Sequence, residues 1–344
     1  MTHSINVHDT VQRITSQLDR VVIGYPEVKL LSTAALFTDH HVLLEGMPGT
    51  AKSLFVVSYQ RLISNSSCAR LQMTPDIKPM DIVGFEVYNP GTGKFEIRKG
   101  PIHSQHFVLV DEINRTPGKT LSALLSSMQE RKIYIAGVEF PLDELFFVMA
   151  TQNPIEQEGV YPLPEAQLDR FGMKINVGYA KRDDEMTILN TDCLETRNPE
   201  SILEPVITVE EVLAIRKHLQ TNVFVSVPAK NYILDLNRST RPCHEEHARL
   251  VNRAPKLKDM VTAGCSMRAA MAMQSLSRAI AAFSGRNFVL PEDIQKVAPS
   301  VLRHRTVTSF EAQAEGFKVD DAMKLIMDNV DFHSNKDDYA PSVK

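Results

Sequence analysis

Hydrophobic and polar positions follow two different patterns along this chain. Up to about residue 178, short apolar runs alternate with segments of helical periodicity, as expected for a parallel sheet covered by helices on both faces. From residue 183 onward the periodicity is helical. The sheet strands are predicted at 41–44, 106–110 and 146–150, and helix starts are predicted at Asp183, Thr208, Pro228 and Pro291.

This change of pattern predicts an α/β core over residues 1–182 and a smaller all-helical domain over 183–330. A charged tail at 331–344 is expected to be loose. Within the core, apolar stretches around Phe85 and Phe95 are separated by a turn-forming sequence, Asn89-Pro90-Gly91-Thr92-Gly93. These two stretches are therefore predicted to pair as a β-hairpin.

The first predicted strand leads into a turn with the composition of a phosphate-binding loop. Gly46, Lys52 and Ser53 have the spacing of Gly-x4-Gly-Lys-Ser, with Ala51 in place of the second glycine. In such loops the backbone amides approach the phosphates, the lysine balances the β/γ charge, and the hydroxyl binds Mg²⁺. The alternative is a glycine-rich turn with a surface lysine. The residues predicted to bind the nucleotide here are Gly46, Pro48, Gly49, Thr50, Ala51, Lys52 and Ser53.

Two acids end the second predicted strand. A buried parallel strand would deliver Asp111 and Glu112 to the C-terminal edge of the sheet. There Asp111 is expected to hold magnesium together with Ser53, while Glu112 polarises a water for attack on the γ-phosphate. A solvated turn is the simpler interpretation of paired acids alone, and the upstream Lys52 and Ser53 favour the magnesium site.

Three further polar residues are candidates for the same chemistry. Asn153 follows the third predicted strand, where its amide is suited to orienting the water, although an Asn-Pro pair is most simply a turn. Arg170 stands beside Asp169, and Arg268 opens a helix-like run. Each arginine by itself is more simply one partner of a surface ion pair.

Together these motifs resemble those of the AAA+ ATPases, and within them the MoxR family of the helix-2-insert clade. The resemblance extends over roughly residues 10–325 and implies a P-loop AAA+ core followed by a helical lid, with the helix-2 insert near 74–100. Alanine before the loop lysine is normal in that family. The segments that carry the resemblance are Val22-Ile23-Gly24, 46–53, Asp111-Glu112-Ile113-Asn114-Arg115, Ala150-Thr151-Gln152-Asn153-Pro154, 163–171 and Ser266-x-Arg268-Ala269, in which Met267 replaces a proline common in the family.

The resemblance assigns roles to the motif residues of the core. Lys52 and Ser53 look like the Walker A pair, and Asp111 and Glu112 look like the Walker B pair. Asn153 matches sensor 1 of the family. These assignments imply that the chain binds ATP and Mg²⁺.

The resemblance also implies roles for residues outside those motifs. Arg170 matches the arginine finger, which reaches the γ-phosphate of the neighbouring subunit, and Arg268 matches sensor 2 of the lid. Val22 and Ile23 fall where the family packs the adenine, whereas Tyr25 stands where the family generally has glutamine. Activity is therefore expected to require assembly of a ring.

By resemblance, the chain is an ATP hydrolase that acts as a homohexamer to remodel, activate or insert a cofactor into protein partners. A partner with a von Willebrand factor A domain is implied in the same way. The alternatives are a helix-2-insert motor acting on nucleic acid and a non-hydrolysing, nucleotide-gated scaffold. No appended DNA-binding domain is recognised, which weighs against the motor, and Glu112 weighs against the scaffold.

Residues 241–260 are longer than the lid connection usual in the family. They contain Cys243, His244 and His247, which lack a fourth metal ligand at a suitable spacing. We therefore expect a solvated loop with a short helix.

Composition and charge limit the class of protein and the location that can be expected. Its 344 residues are 43% hydrophobic and 23% charged, which suits a globular protein with two folding units. A net charge of −4 provides no general attraction for nucleic acid. No apolar run approaches the ~20 residues of a membrane span, and the N-terminus is too polar for a secretion signal. Four scattered cysteines suggest reduced thiols, so a cytoplasmic location without membrane insertion is expected.

Overall fold

The computed structural model describes residues 6–50, 52–154, 161, 163–190 and 202–333. The chain divides into two compact units. The larger contains residues 9–171 and 175–213, and the smaller contains 1–8, 172–174 and 214–344. The described residues 183–190 and 202–213 thus group with the sheet in this division, beyond the point at which the sequence pattern changes.

A five-stranded sheet forms the centre of the larger unit. Its strands are β1 (Val42–Gly46), β3 (Cys68–Gln72), β6 (Phe107–Asp111), β9 (Phe147–Gln152) and β10 (Met173–Val177). They are arranged in the order β10-β1-β9-β6-β3, and β1/β9, β9/β6 and β6/β3 pair in parallel. The three predicted strands are confirmed, each shifted by one or two residues at its ends.

Two interior strands, β6 and β9, are buried almost throughout, which explains their continuous apolar sequences. On one face of the sheet, Leu121, Leu124 and Met128 pack in a core cluster with Val108, Val110 and Val148. The helices of this part of the chain are α1 (Val7–Val21), α2 (Pro26–Phe37), α3 (Lys52–Leu62), α4 (Pro79–Val83), α5 (Gly118–Glu130), α6 (Glu165–Leu168) and α7 (Arg182–Asn190).

Two β-hairpins extend the larger unit. The predicted hairpin is confirmed: β4 (Gly84–Asn89) and β5 (Lys94–Lys99) pair antiparallel in the register Tyr88↔Phe95. Their rings meet edge to face at 5.4 Å and remain largely exposed. The second hairpin consists of β7 (Lys132–Ile135) and β8 (Val138–Pro141). The two-residue strands β2 (Ile63–Ser64) and β11 (Ile207–Thr208) pair in parallel elsewhere in the unit.

Helices dominate the remainder of the chain, as the sequence pattern predicts. Thr208 and Glu211 form a capping box at the start of α8, with Thr208 N donating to Glu211 Oε2 at 2.8 Å. The elements are α8 (Val209–Asn222), α9 (Val227–Ser239), α10 (Glu245–Arg253), β12 (Val261–Ala263), α11 (Met267–Phe283), α12 (Pro291–Leu302), β13 (Val307–Thr308), α13 (Phe310–Ala314) and α14 (Val319–Asn329).

The segment 241–260 contains the expected short helix, α10, but it is not wholly solvated. His247 is buried, and its Nδ1 lies 2.7 Å from the carbonyl oxygen of Ser239. The sequence pattern missed this burial because a single histidine on a polar helix carries no apolar periodicity. Within the described residues, no group of three His, Cys, Asp or Glu side chains has a metal-binding arrangement.

None of the helices among the described residues is long and apolar enough to cross a membrane.

Candidate active site

The phosphate-loop sequence forms a compact turn between β1 and α3. A Cβ on Gly46 would overlap the Val177 carbonyl oxygen, and Gly49 has a φ of +83° that L side chains rarely adopt. Thr50 is buried and donates to Met47 O at 2.7 Å. Ala51 lies outside the described residues. The turn therefore depends on both glycines, and it ends at the N-terminus of α3, where a helix favours anions.

Lys52, the first residue of α3, directs its ammonium back onto this turn. Its Nζ donates to Gly46 O at 2.7 Å, to Met47 O at 2.6 Å and to Thr50 Oγ1 at 3.3 Å. Partial burial lowers the pKa of Lys52, and the negative charges of Asp111 and Glu112 oppose that shift. A bound phosphate would offer this ammonium a charged acceptor that is stronger than the two carbonyls.

Asp111 lies at the C-terminal end of β6, beside the P-loop helix. Its Oδ1 accepts hydrogen bonds from Ser53 Oγ at 2.9 Å and from Thr151 Oγ1 at 3.0 Å. The carboxylate is almost fully buried. A buried carboxylate beside a serine hydroxyl supplies the oxygen ligands that a hard cation such as Mg²⁺ requires. The residues present therefore fit a magnesium site formed by Ser53 and Asp111.

Glu112 immediately follows β6 in a left-handed backbone conformation, with φ 55° and ψ 53°. That conformation is uncommon for a residue other than glycine and occurs preferentially at functional sites. The amide of Glu112 donates to Thr151 Oγ1 at 3.0 Å, and its Oε2 lies 2.9 Å from Arg115 Nε. Thr151 thus links both acids to β9, because its hydroxyl accepts from Glu112 and donates to Asp111.

These residues open onto one cavity of about 470 Å³, which lies within the usual size range of small-molecule sites. Asn153 is part of its wall, and the backbone carbonyl of Asn153 accepts from Asn114 Nδ2 at 3.1 Å. The structure therefore brings eight of the predicted residues together in one wall. The lining consists of Pro48, Gly49, Thr50, Lys52, Ser53, Leu54, Arg70, Gln72, Asp111, Glu112, Thr151, Gln152 and Asn153.

Sequence reasoning missed four polar residues in this wall, namely Arg70, Gln72, Thr151 and Gln152. Arg70 forms an ion pair with Asp111, and its Nη2 lies 2.7 Å from Asp111 Oδ2. The signal in the sequence was the alternation of polar and apolar residues in β3, which places Arg70 and Gln72 on one face and buried Leu71 on the other.

The predicted adenine-binding residues lie in the turn between α1 and α2. Val22 is buried and Ile23 is half-buried, so Ile23 is the more accessible of the two. Tyr25 caps α2 in a left-handed conformation, and its ring meets Phe55 at 6.0 Å. Burial and the nearby acids Asp184 and Glu185 raise the pKa of Tyr25. Tyr25 thus contributes an aromatic contact to α3.

The two predicted arginines are placed differently. Arg170 follows α6 and is not among the described residues that line the cavity; its Nη1 donates to Ser126 Oγ at 3.3 Å. Arg268 lies in the first turn of α11, where its amide donates to Ser266 Oγ at 3.2 Å. Ser266 therefore caps the helix even though Met267 replaces the proline usual in the family.

Comparison with protein families supports the same interpretation. Residues 41–173 match the model of the ATPase family associated with various cellular activities (AAA), and residues 254–326 match the AAA lid domain. The first match includes the phosphate loop, both acids and Asn153. The predicted order of a P-loop core and a helical lid is confirmed.

Individual proteins extend the similarity over nearly the whole chain. Chaperone MoxR1 of Mycobacterium tuberculosis is 36% identical over 321 residues, which cover 93% of this chain and 82% of that protein. The uncharacterized protein YeaC of Bacillus subtilis is 38% identical over 330 residues, which cover 96% of this chain and 97% of that protein. A crystal structure of a candidate ATPase from Cytophaga hutchinsonii, 36% identical, superposes with a TM-score of 0.84 over 95% of this chain and 96% of that one.

Full-length similarity at this level, together with the assembled phosphate loop and paired acids, identifies the chain as an ATPase of the chaperone-like MoxR family of AAA+ proteins.

Proposed function

We propose that this protein hydrolyses ATP at the described cavity in a magnesium-dependent reaction. Lys52 binds the β- and γ-phosphates, and Ser53 and Asp111 hold magnesium, which when bound neutralises charge that develops on the phosphates. Glu112 accepts a proton from the attacking water, and Asn153 orients that water. Ile23 and Val22 contact the adenine in this proposal, and Arg268 contacts the nucleotide from the lid.

The observation that carries this proposal is the hydrogen-bonded series Ser53–Asp111–Thr151–Glu112. Each link is between 2.9 and 3.0 Å, and the link to Glu112 is through its backbone amide. The proposed metal ligands Ser53 and Asp111 and the backbone of the proposed catalytic base are therefore positioned relative to one another. Preorganised groups of this kind lower the reorganisation needed during the reaction. A non-hydrolysing scaffold has no need of the strained backbone at Glu112.

We further propose that the protein acts as a ring, expected to be a hexamer, in which Arg170 reaches the γ-phosphate of a neighbouring subunit. The position of Arg170 outside the lining of its own cavity supports this proposal. Such an arginine stabilises transition-state charge on the transferred phosphoryl group. Hydrolysis then depends on assembly.

The proposed role of the ring is to remodel a protein client, either activating it or helping to insert a cofactor. Tyr88 and Phe95 on the β4–β5 hairpin expose aromatic surface of the kind that is enriched in protein interfaces. The same hairpin carries Glu86 and Glu96 among its basic residues. These negative charges oppose binding of the phosphate backbone of a nucleic acid. This observation supports a protein client over nucleic acid. A von Willebrand factor A domain is the partner that family resemblance suggests.

The experiment that tests this role captures the client on a tagged Glu112→Gln variant in the presence of ATP. The substitution should retain ATP while slowing turnover, so a remodelling ring should retain its client. Wild type with ADP is the matched control for non-specific binding. Specific retention of one protein in the ATP-loaded variant supports the remodelling role. ATP turnover that DNA stimulates, without retained protein, would favour the nucleic-acid motor, and ATP binding without turnover in the wild type would favour the scaffold.

A further inference from the structure

Arg70 holds the acid that the proposed magnesium site requires. Its Nη2 and Nε both approach Oδ2 of Asp111, at 2.7 and 3.2 Å. The Asp111 side chain is only 9% exposed, whereas the Arg70 side chain is 63% exposed. The pair therefore joins a buried carboxylate to a cation that reaches it from solvent.

Together with its other partners, Arg70 occupies the hydrogen-bonding capacity of Asp111. An ionised carboxylate has about four lone-pair positions. Ser53 Oγ and Thr151 Oγ1 donate to Oδ1, and the two Arg70 nitrogens donate to Oδ2, from which Ser53 Oγ also lies 3.3 Å away. Magnesium usually keeps several bound waters, which must donate to acceptors such as this carboxylate. With Arg70 in place, the carboxylate already has as many donors as lone-pair positions, so magnesium or one of its waters must displace a donor.

The position of Arg70 in the sheet allows its side chain to move toward Asp111 and away from it. In the β3–β6 ladder Gln72 is paired with Asp111, and Arg70 is two residues earlier on the same face of β3. In the order of the described sheet β3 is the end strand, next to β6. A long side chain on this strand can therefore swing away from Asp111 without displacing packed core residues.

We propose that Arg70 is a built-in counter-ion that competes with magnesium for Asp111. In the nucleotide-free protein it neutralises the buried carboxylate, and binding of the Mg²⁺–nucleotide complex displaces it. The inference rests on the proposed magnesium site at Ser53 and Asp111. Breaking the Arg70–Asp111 pair would offset part of the free energy of magnesium binding. In this proposal magnesium therefore binds appreciably only together with nucleotide phosphates.

The test compares ADP affinity in excess Mg²⁺ with ADP affinity in EDTA, both measured by calorimetry. ADP is used because it lacks the γ-phosphate. The comparison therefore excludes any contact between a released Arg70 and that group. In Arg70→Met the Mg²⁺-dependent gain in affinity should exceed that of the wild type by roughly three- to tenfold, the range expected for a partly exposed, charge-assisted ion pair in which two arginine nitrogens share one oxygen. Arg70→Lys, which keeps the charge without the planar fork, should lie between the two.

Arg98→Met is the matched control, because it removes the same charge from an exposed position on β5. Its Mg²⁺-dependent gain should equal that of the wild type. An equal increase in this control would attribute the effect to net charge and overturn the proposal. An unchanged or smaller gain in Arg70→Met would overturn it as well, the smaller gain showing that Arg70 assists the metal or nucleotide.

Thermal unfolding provides a readout that does not involve catalysis. Without nucleotide, Arg70→Met should melt below the wild type because Asp111 loses a donor, and Mg²⁺–ADP should raise its melting temperature by more than that of the wild type. If Arg70→Met fails to fold, Arg70→Lys carries the same comparison. Failure of the underlying magnesium site would look different, since wild-type ADP affinity would then be the same in Mg²⁺ and in EDTA.

Discussion

Glu112 and Arg115 form an ion pair across the turn that follows β6, with Glu112 Oε2 2.9 Å from Arg115 Nε. Both side chains are more than a third exposed, so the pair contributes at most about 1 kcal/mol to stability. The pair holds the Glu112 side chain beside the cavity at little energetic cost. Glu112 can therefore be altered with little effect on the fold.

Glu112→Gln should separate the chemical role of this residue from its structural one. The amide keeps the size of the side chain but cannot accept the proton of the attacking water. Turnover should fall by at least about 100-fold, the usual contribution of a general base, while ATP affinity is retained. Steady-state phosphate release and calorimetric ATP binding measure the two effects. Glu130→Gln, an identical change at an exposed site at the end of α5, should retain full turnover.

Retained turnover in Glu112→Gln would remove Glu112 from the catalytic role. Loss of turnover in Glu130→Gln as well would point to a general effect of charge on the assembly instead.

Lys52→Ala should weaken nucleotide binding itself. The variant removes the only charge that the described phosphate loop 46–50 and 52–53 brings to the β- and γ-phosphates. Loss of charge-assisted hydrogen bonds in a partly buried site should reduce ADP and ATP affinity by about 10- to 100-fold. Lys119→Ala, at an exposed position on α5, is the matched control and should bind as the wild type does. Equal affinity of Lys52→Ala and wild type would contradict the phosphate-loop assignment.

Each part of this site that the sequence predicted lies within one short segment of the chain. Gly46, Lys52 and Ser53 lie within one loop and helix start, so their spacing alone fixes their geometry. Asp111 could be placed because a fully apolar strand ending in acids delivers them to a known edge of a parallel sheet. In both cases the local sequence indicated where the structure places these residues.

Arg70 and Thr151 could not be placed in the same way, because their contacts depend on strand register. The partner of both is Asp111, which is 41 residues from Arg70 and 40 from Thr151. Sequence alternation indicates which face of a strand a residue lies on, but not which residue of the neighbouring strand it meets. The burial of His247 was missed for a related reason, since it depends on packing against Ser239 in another helix.

Gly46→Ala should disrupt the nucleotide site through sterics alone. The added Cβ would overlap the Val177 carbonyl oxygen and lie 3.1 Å from Thr50 Oγ1, so β1 or the loop must shift. Overpacking of this kind costs about 1–3 kcal/mol, and the shifted loop should bind ADP more weakly. Thermal unfolding and ADP calorimetry measure the two effects.

Gly118→Ala provides the matched control, because a Cβ there meets nothing within 4 Å and its backbone is not left-handed. It should be as stable as the wild type or more stable by up to about 1 kcal/mol, with unchanged ADP affinity. If Gly46→Ala behaves like Gly118→Ala, close approach of the backbone at Gly46 is not a requirement of the loop.

Mixing of inactive subunits tests the proposed ring. Arg170→Ala subunits should fold and bind ATP yet hydrolyse it poorly, because an arginine finger contributes up to roughly 10³- to 10⁵-fold to turnover. Glu112→Gln subunits are inactive for a different reason. When the two are combined, an interface in which an Arg170→Ala subunit supplies Glu112 and its Glu112→Gln neighbour supplies Arg170 is complete. Phosphate release should therefore return in part, although neither variant works alone.

Subunit exchange must be verified in the same mixture, by giving the Arg170→Ala and Glu112→Gln subunits different labels. If exchange occurs and no activity returns, Arg170 is not donated between subunits. Equal turnover per subunit in dilute monomer and in concentrated assembly would lead to the same conclusion. Arg170 would then be a local residue that braces α5 through its hydrogen bond to Ser126, and its replacement should lower thermal stability without any dependence on assembly.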